Sequence, residues 1–233
     1  MVNIIDCARN VMGDKFAFIK MIILSIPLML SVWAAMGGNM FISVTMYAVF
    51  GVIFGAVFFE TIKRSLNNEP MLMPSFLMPI PMFWTLLMVI LLSIMPCAIN
   101  FLLYLGFGAL CAKFPVLVEN QIALYVSSTI LTLVCSSIYF ATVTQYLHTG
   151  KIKDSFNLVV IAKSIKTFIV DLIFYAIQVV LFTLVALIPL YVIVMIYGKS
   201  MLIVIYCCIL VMTNYLIFAD YIAQTKKDAD CNL

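Results

Sequence analysis

Charged side chains are scarce in this sequence of 233 residues. Lys, Arg, Asp and Glu together make up 10% of it, whereas hydrophobic residues make up 66%. A soluble domain has about 25% charged and about 45–50% apolar residues. A water-soluble chain of this length must cover its exterior with polar groups, and these charges are too few to do so. The composition therefore excludes a soluble protein and predicts an all-α membrane protein whose whole chain, 1–233, forms a single polytopic domain.

The groups that carry most enzyme chemistry are also few. The sequence has one histidine, His148, and no HExxH, GxSxG or glycine-rich phosphate loop accompanies it. Seven cysteines are present, but they form no Cys-x-x-Cys pair, and most lie in or beside apolar runs, where cysteine behaves as a small hydrophobe. We therefore predict that the protein is not an enzyme and has no catalytic residue, metal site or cofactor.

Six apolar runs reach the roughly 20 helical residues needed to cross about 30 Å of hydrocarbon. They are 16–35, 40–62, 82–109, 121–146, 167–197 and 201–221. Gly37-Gly38-Asn39 and Gly198-Lys199-Ser200 interrupt the apolar sequence and predict tight turns. The connector 63–81 contains Asn67-Asn68-Glu69-Pro70 and further prolines, which predict an ordered surface loop instead of a continuous helix. The spans thus form three hairpins.

The distribution of Lys and Arg predicts the orientation, because cytoplasmic loops of membrane proteins carry the positive excess. One side of the predicted bundle has eleven of these residues and the other has only Lys113 and Lys199. An even number of crossings then places both termini in the cytoplasm. The eleven are Arg9, Lys15, Lys20, Lys63, Arg64, Lys151, Lys153, Lys163, Lys166, Lys226 and Lys227.

Two short cytoplasmic or interfacial helices are predicted outside the spans. Near 2–14, apolar residues share one face of a helical wheel and polar residues the other, which is typical either of an interfacial helix or of a solvated helix that rests on the bundle. Near 152–165 the pattern is also helical. The lysines of this second region favour contact with anionic lipid headgroups, at about 1 kcal/mol each.

Four acidic residues lie within or beside the predicted spans. Three of them, Glu60, Asp171 and Asp220, are the candidate functional residues, and Glu119 is the fourth. An ionisable group at membrane depth is a functional candidate. All three are predicted to lie near the cytoplasmic interface, where a carboxylate is hydrated or paired with a cation. Two interpretations therefore stay open: these acids stabilise the bundle, or they line a polar or ion path.

Gly51 and Gly55 form a GxxxG pattern on the second span. Two glycines one turn apart allow another helix to approach closely. They are predicted to be helix-packing positions, although the pattern does not identify the packing partner.

Several local patterns are shared with a known family. They are the segment from Cys7-Ala8-Arg9 to Lys15, the connector from Asn68-Glu69-Pro70 to Pro74, and the stretch KIKDSFNLVVIAKSIKTFIVDLI at 151–173. Over most of its length the chain resembles the prokaryotic integral-membrane family of unknown function catalogued under the number 4013. The methionine-rich connector departs from the more polar loop of that family. The resemblance implies a prokaryotic cytoplasmic-membrane protein and supplies no catalytic residue.

These patterns favour a non-enzymatic membrane component that has a structural role or binds partners or lipids. The alternative is a small-solute or ion transporter or channel, or a subunit of one. The partners expected are the lipid bilayer, anionic lipid headgroups, and either a second copy of the chain or another membrane protein. No nucleic-acid partner is expected.

Overall fold

The structure, a computed structural model, describes residues 2–13, 16–69, 79–114, 120–197 and 201–231. Helices account for nearly all of these residues, and the described ranges contain no strand. Six of the helices are long and apolar enough to cross a membrane. The predicted all-α, multi-pass membrane protein is therefore confirmed.

The helices follow the predicted spans in order. They are α1 (Ile4–Met12), α2 (Ala17–Met36), α3 (Met40–Leu66), α4 (Pro79–Lys113), α5 (Gln121–Thr149), α6 (Leu158–Tyr197) and α7 (Met201–Cys231). A short 3-10 helix, Asp154–Phe156, precedes α6. Helices α2 and α3, α4 and α5, and α6 and α7 form three consecutive hairpins that pack against one another.

Polar residues between the spans define the helix ends. Gly38 has a φ of 76°, a left-handed conformation that glycine adopts without strain. The side chain of Asn39 then accepts a hydrogen bond of 3.2 Å from the N–H of Ile42 and caps α3. The tight turn predicted at the first glycine pair is therefore present. Three predicted features lie outside the described residues: the turn at 198–200, most of the connector, at 70–78, and Glu119.

Two predicted boundaries are wrong. Helix α3 continues to Leu66 and α4 begins at Pro79, so the connector is shorter than 63–81. The segment predicted as a short helix near 152–165 is helical, but it is not separate from the fifth span, because α6 begins at Leu158 and runs without interruption into that span. No glycine or proline occurs between Leu158 and Pro189 to stop it. The 40 residues of α6 extend about 60 Å, twice the hydrocarbon thickness.

Most of the basic residues lie at one end of the bundle, which we call the basic end. Here α1, the last turns of α3, α5 and α7, and the first turns of α6 pack together. Lys113 closes α4 at the opposite end. The basic end carries Arg9, Lys20, Lys63, Arg64, Lys151, Lys153, Lys163, Lys166, Lys226 and Lys227.

The buried core occupies the half of the bundle nearest the basic end. Its members include Ile62, Leu147, Phe168 and Ile222, one from each of four helices. No residue is buried in the opposite halves of the helices, at 35–49, 97–113, 121–134 and 173–196. A helix satisfies its own backbone hydrogen bonds, so apolar helices with this little protein contact are stable when lipid surrounds them.

Helix α1 rests on the bundle through the apolar face of its amphipathic pattern. Ile4 and Cys7 are buried in a cluster with Ile217 and Tyr221 of α7. The N–H of Ile4 also donates to the side-chain oxygen of Gln178 at 2.8 Å. These contacts connect the N-terminal helix to the last hairpin.

Candidate functional site

Asp220 of α7 is the most completely enclosed of the three candidate acids. Its carboxylate is fully buried and accepts hydrogen bonds from two other helices: Oδ1 from the hydroxyl of Ser65 at 2.5 Å, and Oδ2 from the amide of Asn10 at 3.0 Å. Gln224 donates a longer bond of 3.4 Å to Oδ1. Asp220 therefore joins α1 and α3 to α7, and both of its oxygens already have donors.

Cys7 lies beside Asp220 on the inner face of α1. Burial raises the pKa of the Cys7 thiol, and the negative charge and hydrogen bond of Asp220 raise it further. The thiol is therefore protonated at neutral pH, which makes it a poor nucleophile.

Glu60 of α3 connects two neighbouring hairpins. Its Oε2 accepts a hydrogen bond of 2.9 Å from the hydroxyl of Thr85 in α4. Its Oε1 pairs with the guanidinium Nε of Arg64 at 3.3 Å, one turn later on α3. Lys63 adds a cation 4.0 Å from Oε2. Glu60 is thus a buried carboxylate whose charge is balanced within the bundle.

A second ionic group closes the same end between α5 and α7. Oδ2 of Asp230 lies 3.3 Å from the imidazole Nδ1 of His148. The ammonium of Lys226, which is fully buried, donates to the other oxygen of Asp230. This arrangement joins the last turn of α5 to the last turns of α7.

Asp171 of α6 differs from the other two acids because its Oδ2 has no hydrogen-bond partner among the described residues. The residue is only 3% exposed. Its backbone carbonyl accepts a hydrogen bond of 2.9 Å from the hydroxyl of Tyr221. The hydroxyl of Thr225 in α7 lies close enough to interact with this carboxyl group, but Oδ2 itself accepts no hydrogen bond within the described part of the chain.

Asp171 lines a cavity of about 730 Å³, which we call the lysine pocket. Lys163, Lys166, Thr167 and Val170 occupy the same stripe of α6, since residues three and four apart share a helix face. Ala162 of α6 and Ala229 of α7 complete the wall. The pocket thus combines two exposed ammonium groups, one hydroxyl and one buried carboxylate with an apolar surface.

The structure brings two of the three predicted acids into one polar region and places the third elsewhere. Arg64, the partner of Glu60, also lies 3.6 Å from Glu69, and Glu69 and Asp220 line the same pocket of about 280 Å³. Asp171 lines the lysine pocket instead. Within the described residues, no three His, Cys, Asp or Glu side chains converge closely enough to hold a metal ion.

Several contributing residues were not identified from the sequence as site residues. Ser65 and Thr85 carry hydroxyls, which are too common to stand out, and Asn10 is one of several polar residues in its helix. Lys163 and Lys166 were expected to contact headgroups, but the pocket between them depends on α7. No sequence pattern signals these pairings, because the partners are separated by up to 210 residues.

The two glycines of the GxxxG pattern have different surroundings. A Cβ added at Gly55 would lie 3.2 Å from Cδ1 of Leu86, so α4 approaches α3 closely at this point. A Cβ added at Gly51 would meet nothing within 4 Å. Of these two glycines, Gly55 is therefore the one at a close helix contact among the described residues.

A comparison of this chain with protein-family models, curated proteins and solved structures found no match. Any assignment of function must therefore come from the geometry described above.

Proposed function

We propose that this membrane protein is a non-enzymatic component of a cytoplasmic membrane that binds the phosphate of anionic lipid headgroups in the lysine pocket. The observation that carries the proposal is the pairing of Lys163 and Lys166 on one face of α6, beside an apolar wall. A lysine close to an anionic lipid surface contributes about 1 kcal/mol. Two lysines that converge on one phosphate favour an anionic lipid over a neutral one.

The surroundings of the pocket support a lipid ligand over a soluble one. Leu158 and Val159, at the start of α6, are 72% and 65% exposed. Apolar residues with this exposure next to lysines are typical of the boundary between headgroups and acyl chains, where long basic side chains extend toward water. The pocket therefore lies where lipid phosphates are concentrated.

The orientation belongs to the same proposal. Cytoplasmic segments carry the excess of Lys and Arg, so we place the basic end and both termini in the cytoplasm. The resemblance of residues 151–173 to a prokaryotic family supports a prokaryotic source.

The contacts of Glu60 and Asp220 support a structural role over a catalytic or transport role. Both carboxylates are engaged by donors from other helices. Flux of an ion or solute through proteoliposomes that is abolished by Glu60→Gln or Asp220→Asn would replace this proposal with a transporter. Enzymatic turnover lost in the same variants, with folding retained, would replace it with an enzyme.

The direct test is binding of fluorescent phosphatidylglycerol to the purified protein in detergent, with unlabelled phosphatidylglycerol and phosphatidylcholine as competitors. The double substitution Lys163→Gln/Lys166→Gln removes about 2 kcal/mol, so we expect affinity to fall roughly 30-fold. The matched control, Lys151→Gln/Lys153→Gln, removes two charges from outside the pocket and should change the affinity little. Equal binding of the two lipids, or an unchanged affinity in the pocket variant, would contradict the proposal.

Asp171 provides a test in the opposite direction. Asp171 lines the lysine pocket, and its negative charge repels a phosphate there. Asp171→Asn keeps the shape of the side chain and removes that charge, so it should strengthen phosphatidylglycerol binding. Weaker binding in this variant would contradict an anionic ligand.

A further inference from the structure

An apolar crevice of about 290 Å³ opens between α4, α5 and the first turns of α6, next to the lysine pocket. Pro96 and Ile99 of α4 form one wall, and Ile138 of α5 forms the second. The third wall comes from α6 and includes Ile161, Ala162 and Ile165.

The crevice and the lysine pocket meet at Ala162, which lines both. Lys166 follows Ala162 by one helical turn, so the two lie on the same face of α6. Ile161 and Ile165 form the adjacent row, which faces the crevice. Because the side chain of Ala162 is a single methyl group, little protein separates the charged site from the apolar one.

The chemistry of the walls selects the occupant of the crevice. The hydroxyl of Thr142, which also lines it, donates to the carbonyl of Ile138 in its own helix at 2.9 Å and offers no proton to a ligand. Apolar cavities do not hold water. These helices are surrounded by lipid, so the acyl chain of a lipid is the group available to occupy the crevice.

We infer that the lysine pocket and the crevice together bind one whole phospholipid, with its phosphate between Lys163 and Lys166 and one acyl chain in the crevice. This inference rests on the proposed function and extends it from headgroup recognition to a site for a specific, retained lipid. The occupant is a membrane phospholipid of the same leaflet. The positive charge of the lysine pocket complements the negative phosphate of such a lipid, and the adjoining apolar crevice accommodates its acyl chain.

The test is photocrosslinking in nanodiscs made of phosphatidylcholine and phosphatidylglycerol, in which the phosphatidylglycerol carries a photoreactive group along one acyl chain. Mass spectrometry of the unsubstituted protein should find the crosslinks enriched in the α4 and α5 peptides that contain Ile99 and Ile138. Crosslinks spread evenly over the lipid-facing surfaces of α2, α3 and α7 would overturn the inference.

A filling substitution provides the second arm. Ile99→Trp places a larger side chain in the crevice and should reduce these crosslinks several-fold. The matched control is Ile94→Trp, an exposed position on α4 that does not line the crevice. Crosslinking that stays unchanged in Ile99→Trp, with helix content and gel-filtration behaviour like those of the unsubstituted protein, would overturn the inference.

The inference and the proposed function fail in different ways. If Lys163→Gln/Lys166→Gln weakens phosphatidylglycerol binding but the crevice is not crosslinked, the headgroup site stands and the acyl-chain site is refuted. If the lysine variant binds phosphatidylglycerol as the unsubstituted protein does, the proposed function itself is refuted. A loss of crevice crosslinks in both Ile99→Trp and the lysine variant is the result expected for one continuous lipid site.

Discussion

Removal of the hydroxyl of Ser65 should destabilise the bundle far more than a serine-to-alanine change normally does. Ser65 is buried and donates a 2.5 Å hydrogen bond to the carboxylate of Asp220. A hydrogen bond to a charged group contributes about 1.5–3 kcal/mol to the free energy of unfolding. In Ser65→Ala, Oδ1 of Asp220 loses its shortest hydrogen bond and retains the 3.4 Å contact with Gln224. We therefore expect Ser65→Ala to lower the free energy of unfolding by about 1.5–3 kcal/mol.

Ser25→Ala is the matched control. Ser25 is also fully buried, but its hydroxyl donates to the carbonyl of Ile22 within α2 at 2.8 Å. That carbonyl keeps its helical backbone partner after the substitution, so no buried group is left without a bond. The cost should therefore be clearly smaller than that of Ser65→Ala, because no buried hydrogen-bonding group loses its partner.

The assay is reversible unfolding of the protein in mixed micelles by titration with SDS, followed by circular dichroism. A double-mutant cycle with Asp220→Asn isolates the contribution of the charge. In the Asp220→Asn background, the cost of Ser65→Ala should fall to about 0.5–1.5 kcal/mol, the value for a neutral hydrogen bond. Equal costs for Ser65→Ala and Ser25→Ala, or an undiminished cost in the Asp220→Asn background, would refute the assignment of Asp220 as a charged anchor.

Three further outcomes follow from the structure. Gly55→Leu should lower the free energy of unfolding by about 1–3 kcal/mol, because the site is closely packed, whereas Gly51→Leu, where space is open, should change it little in the same SDS titration. Maleimide should modify the exposed Cys231 quickly and the buried Cys7 only after unfolding. The pKa of Cys7 in the folded protein lies above the unfolded value of about 8.5. The stability that the protonated thiol contributes is therefore present below that pH and is lost as the pH rises further. Glu60→Gln should lower the free energy of unfolding by about 1–3 kcal/mol, because it weakens the charged contact with Arg64. An unchanged midpoint of thermal unfolding would contradict the description of Glu60 as a carboxylate balanced by neighbouring cations.

The span prediction succeeded because hydrocarbon imposes a simple length rule on apolar helices. Each apolar run corresponds to one long helix. The ends were less accurate: α6 starts at Leu158, nine residues before the start predicted at 167. Hydropathy marks where a helix meets lipid, whereas the helix itself continues until a residue stops it.

The candidate acids show where sequence reasoning reached its limit. Position along the chain placed Glu60, Asp171 and Asp220 near one end of the bundle, and the structure groups all three with the basic residues. The sequence did not reveal that Asp220 accepts hydrogen bonds from Asn10 and Ser65, whereas Oδ2 of Asp171 has no hydrogen-bond partner among the residues that the structure describes. That difference depends on which helices are neighbours.

The sequence by itself determined the class of the protein, the six apolar helices and the concentration of positive charge at one end. The reason is that the free energy of transferring a residue from water to hydrocarbon depends on its own side chain. Only the tertiary structure decided that the core lies in the half near the basic end, that α1 rests on α7, and that Ala162 joins an apolar crevice to a lysine pocket. These features arise from contacts between residues far apart in the chain. No local pattern encodes such contacts, since in a lipid environment the faces of an apolar helix are nearly equivalent until its neighbours are in place.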